Sequence, residues 1–130
     1  MDIGLKNKME FVVREEHLAN TVRSGELEVL STPMLLAFLE ECCWRSIASE
    51  LDPSQTTVGT SCSFQHTKAS VLGARITVQT ELVEVDRRRL VFAVRAYDEV
   101  GEIAHGTLER IVVAKERFMA KVQGERDTLD

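Results

Sequence analysis

The stretch PMLLAFLEECCWRSIASEL, from Pro33 to Leu51, contains no glycine and a single β-branched residue, Ile47. Leu, Met and Ala dominate it, and these residues lose little freedom in a helix. Thr32 brings a hydroxyl that suits a helix cap, and the Pro33 ring suits a first turn. Asp52-Pro53 is a stop. A helix is therefore expected over Pro33–Leu51. Its apolar side chains (among them Leu35, Leu36, Phe38, Leu39, Trp44 and Ile47) cover most of the circumference. Such a helix is expected to be buried by something that wraps it.

Working outward, nearly everything else reads as strand. Before the helix, Met9 to Glu15 (MEFVVRE) suits one strand. After it, Thr57 to Thr67 sets Val58, Thr60, Cys62, Phe64 and His66 against Gly59, Ser61, Ser63, Gln65 and Thr67. Lys68 to Gly73 reads as a loop. Ala74 to Asp86 places Ile76, Val78 and Leu82 on one face, then slips in parity to Val83 and Val85, which predicts a bulge or strong twist. A hairpin turn near Asp86 leads to Leu90–Asp98, and Glu99-Val100-Gly101 turns the chain into Glu102–Ala114. Lys115 to Val122 is expected to form a short terminal helix, with the remainder frayed. No linker or repeat divides residues 1–130. The expected fold is one α+β domain, an antiparallel sheet curled around one long central helix.

Length and charge narrow the function. The chain has 130 residues, which fits one domain. Apolar residues make up 44% and charged residues 28%, as in ordinary globular proteins. The net charge of -5 argues against nucleic acid or an anionic membrane as partner, since both call for a basic face. No apolar run reaches the roughly 18 residues of a membrane span. The N-terminal MDIGLKNKMEF lacks the apolar core of a signal peptide, so a cytoplasmic location is expected. Cys42, Cys43 and Cys62 form no CxxC or zinc spacing and are expected to be buried free thiols, with no metal site. No GxSxG elbow, Walker loop, dinucleotide fingerprint or HExxH occurs. Arg87-Arg88-Arg89 is most simply a solvated hairpin end, although such a turn also suits a phosphate.

Three polar residues stand out. Thr32 sits at the helix start, where it is expected to cap and where free N–H groups also suit an anion. Glu40-Glu41 interrupts an otherwise apolar helix, and at 100° per residue both cannot share one narrow polar stripe. One carboxylate is therefore expected to be partly buried, a setting that makes it a stronger base once ionised. His66 ends an apolar row, where a structural histidine and a catalytic one are both plausible roles. His17 falls in a loop, and His105 alternates with Ile103 and Thr107, on a face expected to meet solvent.

These segments resemble the hot-dog thioesterases similar to fluoroacetyl-CoA thioesterase, from about Phe11 to Val122. VLSTPMLLAFLEECC (Val29 to Cys43) resembles that family's helix start, with Thr32 followed eight residues later by Glu40. VGTSCSFQHT (Val58 to Thr67) is similar to its next strand, carrying Gly59 and His66. VEVDRRRLVFAVRAYDEVGEIAHGTLERIVV and ERFMAKV continue the similarity. Thr, Glu, Gly and His together, in order and at family spacing, are specific where each alone is weak.

The resemblance implies a hot-dog fold and hydrolysis of an acyl-CoA thioester, with coenzyme A entering as part of the substrate and no separate cofactor. By position it implies that Glu40 attacks the carbonyl or activates water, that His66 polarises or protonates the leaving thiolate, and that Thr32 orients the carboxylate or holds substrate. It gives Gly59, or a neighbour, the role of oxyanion donor. Eight helical residues rise ~12 Å, so Thr32 and Glu40 of one helix cannot easily grip one carbonyl. A site assembled by a homodimer or larger homo-oligomer is expected, which would also cover the edge of the Thr57–Thr67 strand. One departure bears on specificity. The fluoroacetyl-specific enzyme has aromatic gating residues before the Thr, whereas Ala19 to Ser31 is shorter here and has no aromatic residue. The acyl group is left open among short, branched and aryl-acetyl chains, with Phe38, Cys42 and Cys43 expected along it. The competing class is a non-catalytic acyl-CoA binding or sensing module on the same fold. An acyl-CoA hydratase is disfavoured, because no Asp is placed beside His66.

Overall fold

The computed structural model describes residues 1–129. Its strands are β1 (Lys6–Val12), β2 (Gln55–His66), β3 (Arg75–Asp86), β4 (Arg89–Tyr97) and β5 (Glu102–Ala114). They pair antiparallel in the order β1-β3-β4-β5-β2, leaving β1 and β2 as edges. The helices are a single turn, α1 (Ala19–Val22), the long α2 (Thr32–Ile47) and a terminal α3 (Lys115–Asp127). Helix α2 lies across the concave face of the sheet, as expected of an α+β hot-dog architecture.

Leu35, Leu39, Cys42, Cys43 and Ile47 of α2 are fully buried, packed in one core with Ile76, Val78, Leu82 and Phe92 of the sheet. Each such leucine stabilises the fold by ~2 kcal/mol. The expectation of a helix wrapped all round is corrected. The sheet covers one flank, while Ala37 and Trp44 are exposed and Leu36, Glu40 and Glu41 are half-buried. One five-stranded sheet cannot reach around both sides of a helix, so the apolar flank stays uncovered in the single chain.

Several boundaries differ from the sequence expectations. β1 begins earlier and ends at Val12, because the Arg14 N–H donates to His17 Nδ1 and folds Glu15–His17 into a tight turn. The α-helix ends at Ile47, and Ala48–Glu50 continue as a 3-10 turn before Asp52-Pro53. The terminal helix runs past Val122 to Asp127 although it buries no residue. Its KERFMAKVQGERD is rich in helix formers, and Gln123 bonds Asp127 one turn on. The parity slip in β3 is present as a register shift between Leu82 and Glu84.

A second irregularity matters more for the site. In β2, Gly59 faces Arg110 and Ser61 faces Glu109, so Thr60 is an extra residue without its own partner. Its hydroxyl donates to the Glu109 carbonyl. Strict alternation would put Gly59 and His66 on opposite faces. The bulge reverses the phase, so that Thr57, Gly59, Cys62, Phe64 and His66 all take the inner-face register opposite Val112, Arg110, Leu108, Gly106 and Ala104. Val58 moves to the outer register, which corrects its expected place beside His66. On the inner face Phe64 closes over Gly106, where any Cβ would overlap the Phe64 backbone.

The loop after β2 is pinned by a buried carboxylate. Asp98 accepts from Lys68 Nζ (2.7 Å), Ser70 Oγ (2.9 Å) and the N–H groups of Val100 (2.8 Å) and Gly101 (3.1 Å). Ser70 in turn offers its carbonyl to the Leu30 N–H, beside the start of α2. Burial alone would raise the Asp98 carboxyl, but the Lys68 ammonium and the other donors outweigh it and lower the group to about 2. A depressed folded value means that the stabilisation is present above the ordinary carboxyl range and is lost as pH falls from about 4 towards 2. Asp98→Asn is expected to cost ~2 kcal/mol in urea unfolding at pH 7, because it leaves the Lys68 ammonium without its counter-charge. The gap between parent and variant should close as pH falls through that window. A constant gap between pH 7 and pH 2 would disprove the charge assignment.

Candidate active site

Two polar clusters lie along α2, one at its start and one in its middle. At the start, Ser31 rather than Thr32 is the cap, its Oγ accepting from the Met34 N–H at 3.2 Å. Thr32 is the first helical residue, and its hydroxyl is therefore released from capping. It lies 2.8 Å from Nδ1 of His66, which the end of β2 carries towards it. Burial lowers the His66 imidazole below its ordinary value, with the nearby Lys68 backbone opposing the shift. The shift favours the neutral ring. A neutral imidazole has one donor and one acceptor nitrogen. Nε2 is buried and has no hydrogen-bond partner among the described residues. An orphaned buried nitrogen is uncommon in a folded protein and marks a place where another group is needed. Ser24, Leu30, Pro33 and Lys68 complete a cleft of about 510 Å3 around this pair.

Glu40 lies eight residues further along α2, roughly 12 Å of helical rise away. It faces a different cleft, of about 240 Å3, lined by Leu36, Gly59, Cys62 and Arg110. Its Oε2 accepts from Arg110 Nη1 at 2.9 Å. The Arg110 side chain is only 7% exposed and is fixed from behind, with Nε donating to Thr57 Oγ1 (2.8 Å) and Nη2 to the Thr57 carbonyl (3.1 Å). A guanidinium held by three planar contacts cannot swing, so it sets where the carboxylate rests. Gly59 is a close neighbour of that oxygen. A Cβ there would lie 2.5 Å from Glu40 Oε2 and 3.3 Å from Arg110 Nη1. Glycine is what lets the carboxylate lie against the strand. Neighbouring Glu41 faces solvent, paired with Arg45 at 2.8 Å.

The structure thus brings Thr32 to His66 and Glu40 to Gly59, but it does not bring the two pairs together within one chain. Arg110 is absent from the sequence expectations. Its signal was a charged residue in phase with Leu108 and Val112 on the inner face of β5. The expected lining by Phe38, Cys42 and Cys43 is corrected. All three are buried in the core, with Phe38 stacked on Phe11 at 4.3 Å. Burial raises both the Cys42 and Cys43 thiols above their ordinary value, which disfavours the reactive thiolate. Cys62 is exposed, not buried, because it lies on an edge strand beside the Glu40 cleft. His17 is structural, packed edge-on against Phe38. His105 is on the outer face, near Glu102. Among the described residues no three His, Cys, Asp or Glu side chains converge as a metal site, and no helix is long and apolar enough to cross a membrane.

Comparison with known proteins gives this geometry a context. The fluoroacetyl-CoA thioesterase of Streptantibioticus cattleyicolor is 41% identical over 96 residues, 74% of this chain and 69% of that protein. A variant of fluoroacetyl-CoA thioesterase solved in complex with acetyl-CoA superposes with a TM-score of 0.92 at 33% identity, covering 96% of this chain and 98% of that one. A Thermus thermophilus thioesterase superfamily member shares the fold alone, with a TM-score of 0.90 at 21% identity over 98% and 95% of the two chains. Residues 13–116 match the family described as fluoroacetyl-CoA-specific thioesterase. By that match and the identity of its relatives, the chain belongs to the fluoroacetyl-CoA-specific thioesterase family, whose members are thioester hydrolases.

Proposed function

We propose that the protein hydrolyses a small or medium acyl-CoA thioester at a site shared by two copies of the chain. The observation that carries this is the split site. Thr32 and His66 form one half and Glu40, Gly59 and Arg110 the other, at the start and the middle of a half-uncovered helix. A second copy paired along the free β2 edge and packed on the Leu36/Trp44 flank would bring one copy's Glu40 towards the other's His66. It would also remove an unpaired edge and an apolar flank from water. A cyclic homodimer satisfies both halves at once, giving two equivalent sites.

In this site Glu40 acts on the thioester carbonyl, either by direct attack, giving a mixed anhydride that water then hydrolyses to the acid and free Glu40, or by taking a proton from the water that attacks. The oxyanion that forms is met by backbone N–H near Gly59. As the C–S bond breaks, His66 Nε2–H hydrogen-bonds the departing CoA sulfur while Thr32 holds Nδ1, and the proton released by the attacking water ends on the thiolate. The products are a carboxylic acid and CoA, and no separate cofactor takes part. Ala19–Ser31 contributes no aromatic side chain to an acyl pocket, which favours short, branched or aryl-acetyl groups over a substrate needing an aromatic gate. Retention of the complete Thr32/Glu40/His66 set favours catalysis over acyl-CoA sensing, as a binding module needs no acid/base pair.

The test is thiol release from a panel of acyl-CoAs, followed with a thiol-reactive dye. It is best run in a Cys62→Ser background, because exposed Cys62 would itself consume dye. Turnover of at least one member is expected. No release from any member, with thermal-shift binding retained, would establish the sensing module instead.

A further inference from the structure

The arginine run at the β3–β4 turn has no role in the site just described. Arg89 is neutralised by Glu84 and, at 2.6 Å, by Glu109. Arg88 is not. The turn is tight, with Arg87 in the left-handed region at φ 58°, and the Arg88 carbonyl accepts from the Val112 N–H at 2.8 Å. This docks the turn against the end of β5. Helix α3 starts there at once, anchored by the Lys115 N–H on the Ser54 carbonyl at 2.9 Å. Its first two turns place Arg117, Phe118 and Lys121 opposite Arg88. Together with Val113 and Ala114 they line a dent of about 200 Å3.

Charge and shape in this dent point the same way. The chain carries 21 acidic against 16 basic residues, and Arg45, Arg89, Arg95 and Arg110 all have carboxylate partners. Arg88, Arg117 and Lys121 have none within 4 Å among the described residues. Arg117 and Lys121 are like charges one helical turn apart, an arrangement that is unfavourable by itself. Asp86 and Glu116 are near in sequence but do not line the dent. No side chain caps α3, so its positive end adds to the same field. The floor is apolar, with the Phe118 ring partly exposed, a flat surface of the kind on which a nucleobase stacks. Guanidinium forks match phosphate oxygens in geometry as well as charge.

We propose that this dent is a nucleotide-phosphate site, with Arg88, Arg117 and Lys121 on the phosphates and Phe118 against the base. The phosphates have two sources: the nucleotide end of the acyl-CoA, in which case the site rests on the proposed thioesterase function, or a separate free nucleotide. Val113 lies three residues beyond Arg110 on β5, about 10 Å along the strand, so the dent and the Glu40 cleft are near but distinct.

The experiment titrates adenosine 3′,5′-bisphosphate and, separately, inorganic phosphate into 15N-labelled parent and the Arg88→Gln/Arg117→Gln variant. The expected result is saturable bisphosphate binding with amide shifts over Val113–Lys121, weakened about tenfold or more in the variant by loss of charge-assisted bonds. Both side chains are exposed, so an unchanged circular-dichroism melt is expected to accompany the loss. A kinetic arm separates the sources. If the substrate supplies the phosphates, KM for acyl-CoA rises about tenfold in the variant at constant kcat, while the matching acyl-pantetheine thioester is unaffected. If KM is unchanged but bisphosphate binding is lost, the site takes a free nucleotide. Absence of saturable binding, equal binding by the variant, or inorganic phosphate binding as tightly as the bisphosphate overturns the proposal. Failure of the thioesterase function would leave the titration intact, so the two can be told apart.

Discussion

Replacing Glu40 by Gln is expected to lower kcat for the best acyl-CoA by ~1,000-fold, roughly 4 kcal/mol of transition-state stabilisation. The amide keeps the shape of the carboxylate but can neither attack a carbonyl nor take a proton. KM should move by less than about threefold, since the lost interaction acts on the reacting centre. The fold should survive. Arg110 keeps both bonds to Thr57, and the new amide oxygen can still accept from Nη1, so a stability loss of only ~1 kcal/mol is expected. Progress curves of thiol release and a urea melt on the same preparation check both parts. A folded variant with parental kcat would remove Glu40 from the mechanism.

Mixing two inactive proteins should restore activity. Glu40→Gln lacks the middle-of-helix half and His66→Ala the helix-start half, and each homodimer is expected to be dead. In a mixed dimer, one of the two shared sites receives both substitutions and the other receives neither. Random re-pairing at equal concentrations makes half the dimers mixed, each with one intact site, so about a quarter of the parental rate should return. Co-refolding followed by the same thiol assay measures this. Continued inactivity, with mixed dimers verified by mass spectrometry, would show that Glu40 and His66 do not act across a subunit boundary.

The elements of this fold were legible because each has a clean period. Ten apolar residues on one glycine-free segment announced α2, and the parity slip at Val83 announced the irregularity in β3. What escaped depends on contacts between distant segments. Ser31 and Thr32 are both good caps, and only the tertiary position of His66 shows which hydroxyl was freed. The Thr60 bulge leaves no mark in composition, so the inner face of β2 was misassigned at Val58. Arg110 was passed over because a lone arginine in a strand usually faces water. Its burial follows from Thr57, 53 residues earlier, and Glu40, 70 residues earlier. Three of the four expected site residues stand out by type and spacing. Gly59 stands out only through resemblance, since its meaning lies in the space it leaves for another side chain.

The extra residue at Thr60 makes the segment between Gly59 and His66 behave like a reading frame. Seven peptide units separate the glycine from the histidine, an odd count that only an out-of-phase step can turn onto one side. Losing or gaining one residue here would not merely shorten a loop. It would invert everything downstream, sending His66 outward and burying Gln65 in its place. Length variation among homologues in this segment should therefore come in pairs of residues, or accompany a compensating bulge, even where the sequence itself drifts freely.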